Sequence, residues 1–249
     1  DLASGLQLAA DLWRFWQAKG HAKEMLSWLE ASIALDGDVP KPVLADATNT
    51  AGLMARTCGQ YPQSVRWHSA SLQLQCELGN RRGEAVARNN LCLVARDQYD
   101  HLRVEELGQA NLAVARDIGD RNLEALALMH LGTALRGQDR MVEAEATFQQ
   151  SWTIFNELGD LTASATMLNF LGNVALVGGR LAQARHQFEE ALALNQSLGN
   201  YWGLAITQGN LAALHVAHGE DDAALHALMK SLSLFRQAGV KHGVETCFD

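Results

Sequence analysis

The sequence predicts an all-α protein: a right-handed superhelical solenoid of about six helical hairpins, followed by the start of another helix. Two observations predict it. An apolar residue and a glycine recur together every 40 residues, and an Asn or Asp follows that glycine in the first four occurrences. The glycines are Gly79, Gly119, Gly159, Gly199 and Gly239, and the residues that follow are Asn80, Asp120, Asp160 and Asn200.

Each recurrence has a direct structural meaning. A glycine after an apolar run ends a helix in the left-handed conformation, and an Asn or Asp directly after it caps the next helix. We therefore expect a single repeat domain over residues 1–249. Its units are expected at approximately 1–40, 41–80, 81–120, 121–160, 161–200 and 201–239, with residues 240–249 as a truncated next helix.

Positions inside the units keep the same register. One column holds only alanine: Ala45, Ala85, Ala125, Ala165 and Ala205. Another holds small residues, which mark where two helices must approach closely: Gly52, Cys92, Gly132, Gly172 and Ala212. The alternative, a helical bundle with accidental periodicity, does not explain several columns that hold register over five units.

These columns place two helices in each unit. Helix A is expected near 41–58, 81–98, 121–137, 161–177 and 201–217. Helix B is expected near 62–78, 101–118, 141–158, 181–198 and 221–238. Residues 1–36 read as a degenerate unit with helices near 2–18 and 22–35, and Asp36–Pro42 as an irregular joint. One hairpin cannot bury its apolar face alone, so the stacked array is the folding unit.

Composition argues against several classes of function. The net charge of −8 and the pI of about 5.6 argue against a nucleic-acid surface, which needs a basic stripe. The sequence contains no apolar run of about 18 residues, and we expect neither a signal peptide nor membrane contact. The four cysteines lack the spacing of a metal site, and we expect reduced thiols in a cytoplasmic protein.

No catalytic pattern is found in the sequence. It contains no GxSxG, HExxH, catalytic Cys-His signature or dinucleotide-binding glycine loop. The group most like a metal site is His215, His218 and His226 with the acids at 220–222, and we interpret these histidines as surface residues near a turn. We therefore predict that the protein is not an enzyme and has no cofactor and no metal.

The residues of the fourth unit carry a family resemblance. Leu128, Leu131-Gly132, Leu135, Ala144, Phe148 and Ser151 resemble the tetratricopeptide repeat consensus, with a spacing of 40 residues in place of the usual 34. The resemblance implies stacked helical hairpins that present a binding surface. It does not identify the ligand, because such arrays serve many partners.

A narrower resemblance concerns the first unit. The segment Leu8–Gly20, followed by Trp28-Leu29-Glu30, looks like the start of the sensor arm in bacterial LuxR-type and AfsR-type regulators, which are signal-transduction ATPases of the STAND class. The resemblance implies an arm of a longer chain that also holds an ATPase domain and a DNA-binding domain. The aromatic residues Trp13, Phe15, Trp16 and Trp28 then either pack in a terminal core or form a docking patch for the ATPase domain.

In arrays of this type the A helices line the concave surface. Positions three before, one after and four after the Gly132 column share one stripe of helix A. We expect the following residues to form a ligand- or peptide-binding groove: Asn49, Arg56, Asn89, Arg96, Met129, Thr133, Arg136, Asn169 and Asn173. The stripe grows less polar toward residue 217, so a polar ligand should favour the N-terminal half.

Two of these columns suggest how a peptide is held. The Asn column, at 49, 89 and 169, would hydrogen-bond a peptide backbone, and the Arg column, at 56, 96 and 136, would hold its carboxylates. The opposing interpretation is that the arginines are solvated or pair with neighbouring acids, and that the asparagines brace adjacent helices.

The sequence thus predicts a non-catalytic module that binds a protein, a peptide or another ligand, without direct nucleic-acid contact. We expect the sensor or scaffold arm of a bacterial signalling ATPase or transcriptional regulator, with the ATPase domain as a further intramolecular partner. A stand-alone scaffold that grips extended acidic peptides and a small-molecule receptor are the alternatives.

Overall fold

The computed structural model describes residues 1–35 and 37–238, and this part of the chain contains helices joined by short connections. The helices are α1 (Leu2–Asp11), α2 (Trp13–Ala18), α3 (Ala22–Ile33), α4 (Lys41–Thr57), α5 (Tyr61–Glu77), α6 (Arg81–Asp97), α7 (His101–Asp117), α8 (Arg121–Gly137), α9 (Met141–Glu157), α10 (Leu161–Val177), α11 (Leu181–Ser197), α12 (Tyr201–His218) and α13 (Asp221–Gln237). The predicted all-α class and the repeated hairpins are confirmed.

The helix bounds differ from expectation mainly in the degenerate first unit. The helix expected over 2–18 is interrupted at Leu12, whose φ of −94° and ψ of 7° separate α1 from α2. The irregular joint is present at residues 37–40, and α4 begins directly after Pro40. The truncated helix expected over 240–249 lies outside the described residues.

The chain divides into two compact units. The first runs from Asp1 to Gly137 and contains α1 to α8, and the second begins at Gln138 and contains α9 to α13. Within each unit, helices adjacent in sequence pack as hairpins, for example α4 with α5 in the first unit and α12 with α13 in the second.

The boundary between hairpins has the predicted geometry. Gly79 in the first unit and Gly159 in the second adopt φ values of 63° and 71°. The side chain of Asn80 accepts a hydrogen bond from the N–H of Gly83 at 3.1 Å, and Asp160 accepts one from the N–H of Ala163 at 2.9 Å. Both helices therefore start at a side-chain cap, because their first N–H groups have no partner within the helix.

The turns inside the hairpins adopt the same left-handed backbone conformation, but the residue at that position is not always glycine. Gly59, Gly179 and Gly219 occupy one column with positive φ, but the column also holds Tyr99 at φ 58° and Asp139 at φ 62°. An L-residue in this conformation brings its Cβ close to the following carbonyl oxygen. Tyr99 and Asp139 therefore carry backbone strain that the three glycines avoid.

The alanine column and the small-residue column lie in the core. All five alanines of the column are fully buried. A Cβ atom on Gly52 would lie 2.6 Å from the His68 ring in the first unit, and a Cβ on Gly172 would collide with the Phe188 ring in the second. Helix A is thus small where helix B is large, which lets the two helices pack closely.

Candidate functional site

The first unit carries seven of the nine predicted groove residues on helices α4, α6 and α8. Asn49, Asn89 and Met129 are half-buried, as are the arginines at 56, 96 and 136. Thr133 is buried and donates its hydroxyl to the carbonyl of Met129 at 2.9 Å, so it is occupied within its own helix.

Arg56 and Arg96 meet at one carboxylate. The Nε of Arg56 lies 2.7 Å from Oδ2 of Asp97, and Nη2 of Arg96 lies 3.4 Å from Oδ1 of the same residue. The side chains of Arg56 and Asp97 are 25% and 22% exposed, so this pair is screened less than a fully exposed one. The contact joins α4 to α6 and places the two arginines on the same side of the unit.

The charges of this cluster do not balance. Within residues 1–35 and 37–238, no ion pair of Arg56 or Arg96 involves an acid other than Asp97. Two guanidinium groups and one carboxylate leave a net positive charge on this side of α4 and α6. A guanidinium has five N–H donors in a planar fork, so a second carboxylate has donors available at this place.

Arg136 lies on α8 in the same column. Burial lowers the pKa of its guanidinium, but an arginine keeps its proton in proteins. This arginine therefore adds positive charge to the face of α8.

Asn49 is held by two donors. Its Oδ1 accepts from Nδ2 of Asn90 at 2.8 Å and lies 3.0 Å from Nδ1 of His68. Asn90 is on α6 and His68 on α5, so this amide joins three helices. In the described part of the chain, the Nδ2 of Asn49 has no hydrogen-bond partner.

Asn89 is held in the same way by the next repeat. Its Oδ1 lies 2.9 Å from Nε2 of His130, which is buried on α8. No described residue accepts a hydrogen bond from the Nδ2 of Asn89. Asn49 and Asn89 thus share one arrangement: the side-chain oxygen accepts hydrogen bonds within the protein, and the side-chain N–H groups have no partner among the described residues.

Both histidines stay neutral because their pKa values are lowered. Burial, and then the charge of Arg56, lowers the pKa of His68 to about 4. Burial, and then the charges of Arg96 and Arg56, lowers the pKa of His130 to about 3. A neutral ring has one N–H, which the hydrogen-bond network assigns to Nδ1 of His68 and Nε2 of His130. Each histidine donates to an asparagine oxygen and thereby turns the amide nitrogen away from itself.

The asparagines of the second unit have different hydrogen-bond partners. Asn169 is buried, and its Nδ2 donates to Oγ1 of Thr207 at 3.0 Å and to the carbonyl of Ala165 at 3.2 Å. Its Oδ1 accepts from Nδ2 of Asn210 at 2.9 Å. Asn169 therefore braces α10 against α12. Asn173 is half-buried, and its side chain forms no hydrogen bond with any described residue.

Helices α10 and α12, which carry the predicted stripe in the second unit, differ from α4 and α6 in charge. Neither helix contains Asp, Glu, Lys or Arg. The column of the three arginines continues with Leu176 and Val216, and Val216 is 60% exposed. The decrease in polarity along the predicted stripe is therefore seen in these two helices.

The four aromatic residues of the first hairpin differ in burial. Trp13 and Trp16 pack, half-buried, against the core of the first unit, whereas Phe15 and Trp28 are exposed. A cavity of about 420 Å³ lies beside this group and is lined mainly by Leu8, Leu12, Trp16, Met25 and Trp28. Core packing thus applies to Trp13 and Trp16.

Other predicted features have simple contacts. The Nδ1 of His215 lies 2.5 Å from Oε2 of Glu220, and the Nδ1 of His218 lies 3.2 Å from the carbonyl of Leu214. No group of three or more metal-binding side chains occurs among the described residues. Over the same residues, the helices lack the length and apolar character needed to cross a membrane.

Sequence reasoning missed the partners of the predicted groove residues. The pairs Arg56–Asp97, Asn49–Asn90, Asn89–His130 and Asn169–Asn210 are each separated by 41 residues. This separation is one residue more than the repeat, so comparing equal positions does not reveal it. A search for polar pairs displaced by one residue from the period would have found all four.

The described geometry defines a repeat protein whose successive hairpins are linked by polar pairs between neighbouring A helices. A family model described as tetratricopeptide repeat matches residues 163–237. This match covers less than half of the chain, and the structural likenesses described next show a fold of the same type over nearly the whole chain. No curated protein sequence matches the chain significantly.

Several solved structures resemble this chain. The apo form of RapI is 12% identical with a TM-score of 0.77, and the likeness covers 98% of this chain and 95% of that one. NprR in complex with its cognate peptide NprX is 14% identical with a TM-score of 0.74, over 95% of this chain and 69% of that one. A STAND protein with a tetratricopeptide repeat sensor from Pyrococcus horikoshii is 12% identical with a TM-score of 0.76, over 99% of this chain and 39% of that one. These identities are low, so the likeness concerns the fold.

Proposed function

We propose that this chain is a non-catalytic binding module that holds an acidic peptide or protein segment on the inner faces of α4, α6 and α8. The observation that carries the proposal is the convergence of Arg56 and Arg96 on the single carboxylate of Asp97. This arrangement is a preformed anion site with more positive than negative charge. An acidic side chain of the ligand takes guanidinium donors that Asp97 does not use.

The asparagines supply the second element of recognition. The amide nitrogens of Asn49 and Asn89 are donors without an internal partner, and a peptide backbone offers carbonyl oxygens as acceptors. Packed helices lie about 8–10 Å apart, and an extended chain covers that distance in roughly three residues at about 3.3 Å each. A peptide crossing from α4 to α6 therefore meets the two amides about three residues apart.

The structural relatives support a regulatory setting. NprR is described in complex with a cognate peptide, and a Rap protein in complex with the Competence and Sporulation Factor. The protein from Pyrococcus horikoshii is a signal-transduction ATPase in which the tetratricopeptide repeats are the sensor. By analogy we assign this chain to the sensor or scaffold arm of a bacterial signalling ATPase or transcriptional regulator, and an upstream phosphate-binding loop in the gene would separate this assignment from a stand-alone scaffold.

A display selection with random peptides tests the proposed ligand class. The wild-type chain should enrich peptides with at least one Asp or Glu. The Arg56→Glu/Arg96→Glu variant should bind the enriched peptides roughly 100-fold more weakly or worse, because it loses two charged hydrogen bonds that contribute about 1.5–3 kcal/mol each.

The matched control is Arg66→Glu/Arg103→Glu, which makes the same change of charge on helices α5 and α7. It should bind the enriched peptides as the wild type does. Enrichment without acidic residues, or equal loss in the two double variants, would show that Arg56 and Arg96 do not form the anion site.

A second candidate function rests on the apolar cavity beside α1 to α3. Its volume of about 420 Å³ lies within the range of small-molecule sites, about 300–1,000 Å³. Titration with the apolar dye 1-anilinonaphthalene-8-sulfonate should show saturable binding that Leu12→Glu abolishes. Leu102→Glu introduces the same charge at another exposed position of the first unit and should leave the binding unchanged; dye binding that survives Leu12→Glu argues against the cavity.

A further inference from the structure

Besides the apolar cavity, the first unit has a polar cleft between α4, α5 and α6. Its volume is about 330 Å³, and its lining includes Asp46, Asn49, Gln75, Arg82 and Gly83. The cleft is more polar than the cavity beside α1, and it adjoins the proposed groove because Asn49 belongs to both.

The polar groups of one wall are fixed by internal hydrogen bonds. Gln75 is buried, and its Oε1 accepts from Nδ2 of Asn80 at 2.8 Å. The Oδ1 of Asn80 accepts from the backbone N–H of Gly83 at 3.1 Å. A Cβ atom on Gly83 would collide with the Gln75 side chain, so glycine is needed at this place in the wall.

The charges around the cleft are paired, with one exception. The Nε of Arg82 lies 3.1 Å from Oδ2 of Asp120, and the Nζ of Lys41, at the start of α4, lies 2.8 Å from Oε2 of Glu77. Within the described residues, Asp46 has neither an ion pair nor a hydrogen bond from another side chain. Asp46 and Arg82 are the charged residues of the lining, and of these two only Asp46 has no ion pair.

Asp46 also stands out from its own column. The equivalent positions in the following units are Val86, Leu126, Thr166 and Ile206, none of which is charged. Asp46 is an exposed residue, but partial desolvation by the surrounding protein, and then the nearby carboxylate of Asp11, raises the pKa of its carboxyl group. Both influences disfavour the negative charge of Asp46, whereas a bound cation would stabilise it.

We propose that the cleft at Asp46 is a binding site for an ammonium or guanidinium group of the ligand. The group comes either from a basic side chain or from the amino terminus of a bound peptide. This inference extends the proposed groove of the first unit from acidic ligands to ligands that also carry a positive charge. It rests on the placement of that groove but has its own chemistry, since Asp46 is not part of the arginine cluster.

Solution NMR with small amine probes tests the site without knowledge of the natural ligand. Nα-acetyl-lysine-N-methylamide presents a side-chain ammonium, glycine-N-methylamide presents an amino terminus, and Nα-acetyl-norleucine-N-methylamide is the neutral analogue. The backbone amide signal of Gly83 should shift saturably with at least one of the two cations. Which of them binds more tightly identifies the source of the charge.

Variants then connect binding to the carboxylate. Asp46→Asn should weaken cation binding roughly tenfold or more, as expected for a hydrogen bond to a charged group, and Asp46→Glu should retain most of it. Asp222→Asn makes the same change of charge in the second unit and should have no effect. Added salt should weaken binding to the wild-type chain, so an ion-pair contribution is measurable even if a variant fails to fold.

Equal shifts with the norleucine analogue, or equal affinity in Asp46→Asn and the wild type, would overturn the proposal. The Arg56→Glu/Arg96→Glu variant separates this inference from the proposed function. It should lose the acidic peptides and keep the amine probes.

Discussion

The predicted groove stripes of the two units occupy the same repeat columns but differ in charge and hydrogen bonding. In the first unit, Arg56 and Arg96 share Asp97, and buried histidines hold the amides of Asn49 and Asn89 with their donors unused. In the second unit, the corresponding stripe carries no charge. Its buried asparagine, Asn169, both donates and accepts side-chain hydrogen bonds within the protein.

The difference shows that equal positions in the repeat predict where a side chain lies, but not whether its hydrogen-bond donors are free to bind a ligand. Asn49, Asn89 and Asn169 are equivalent in sequence, yet only the first two keep free donors, because their neighbours differ. Thr207 lies within hydrogen-bond distance of Asn169 and takes its amide protons. The equivalent residue in the first unit is Ala87, which has no such acceptor in its side chain. The comparison leads to the following predictions, from the largest effect to the smallest.

The largest effect concerns the residue that fills the space beside the small column of helix A. Phe188→Ala in the second unit should lower the free energy of unfolding by about 3–5 kcal/mol, the usual cost of removing a buried Phe. His68 occupies the same column in the first unit. His68→Phe keeps the bulk and should be far less destabilising, although it removes one donor to Asn49. Urea unfolding measures both, and a larger loss for His68→Phe than for Phe188→Ala would contradict the packing account.

The second prediction separates the two asparagines of the second unit. Asn169→Ala should lower the free energy of unfolding by about 1–3 kcal/mol, because Asn210 and Thr207 lose a buried partner. Asn173→Ala should change it by less than about 0.5 kcal/mol, as for ordinary surface positions. The same urea experiment checks this pair, and equal effects would show that Asn169 does not brace α10 and α12.

The third prediction concerns pH. The pKa values of His68 and His130 are lowered to about 4 and about 3, so the unfolded chain binds protons more readily than the folded chain below pH 6.5. Their contribution to stability is therefore complete above pH 6.5 and is lost as the pH falls toward 4 and then 3. Each group contributes up to about 1.4 kcal/mol per pH unit within its window.

Unfolding free energies measured between pH 7 and pH 4.5 check this expectation. The His68→Phe variant should show a shallower decrease than the wild type over that range. An unchanged slope would mean that His68 is not held neutral in the folded chain.

The smallest effect concerns the strained turns. Tyr99→Gly should raise the free energy of unfolding by about 1 kcal/mol, because the left-handed conformation costs an L-residue about 1–2 kcal/mol and glycine loses more entropy on folding. Asp139→Gly in the second unit should gain less, since Asp tolerates this conformation better than Tyr. Thermal unfolding compares the two, and destabilisation by Tyr99→Gly would show that its ring forms contacts that outweigh the strain.

These cases show what the sequence could predict. Gly79 with Asn80 determines a helix end and the next helix start by local chemistry, and the repetition of that pair gave the hairpins and nearly all helix bounds. The break at Leu12 was not predicted, because no proline or glycine marks it. The groove positions followed from helical periodicity, but the partners of Arg56 and Asn49 lie on other helices and depend on packing between repeats. The single repeat domain remains a prediction, as does ligand binding by the groove residues.

The most direct test of the account uses the side-chain Nε–H signals of Arg56 and Arg96 in NMR spectra of the full chain. An acidic peptide obtained from the display selection is titrated into the wild type, and the variant Asp97→Asn assigns which signals belong to the shared cluster. We predict that the Nε–H signals of Arg56 and Arg96 shift together and saturate with the peptide, while the amides of α10 and α12 stay unchanged. Saturable shifts confined to α10 and α12, with both arginine signals unmoved, would contradict the account.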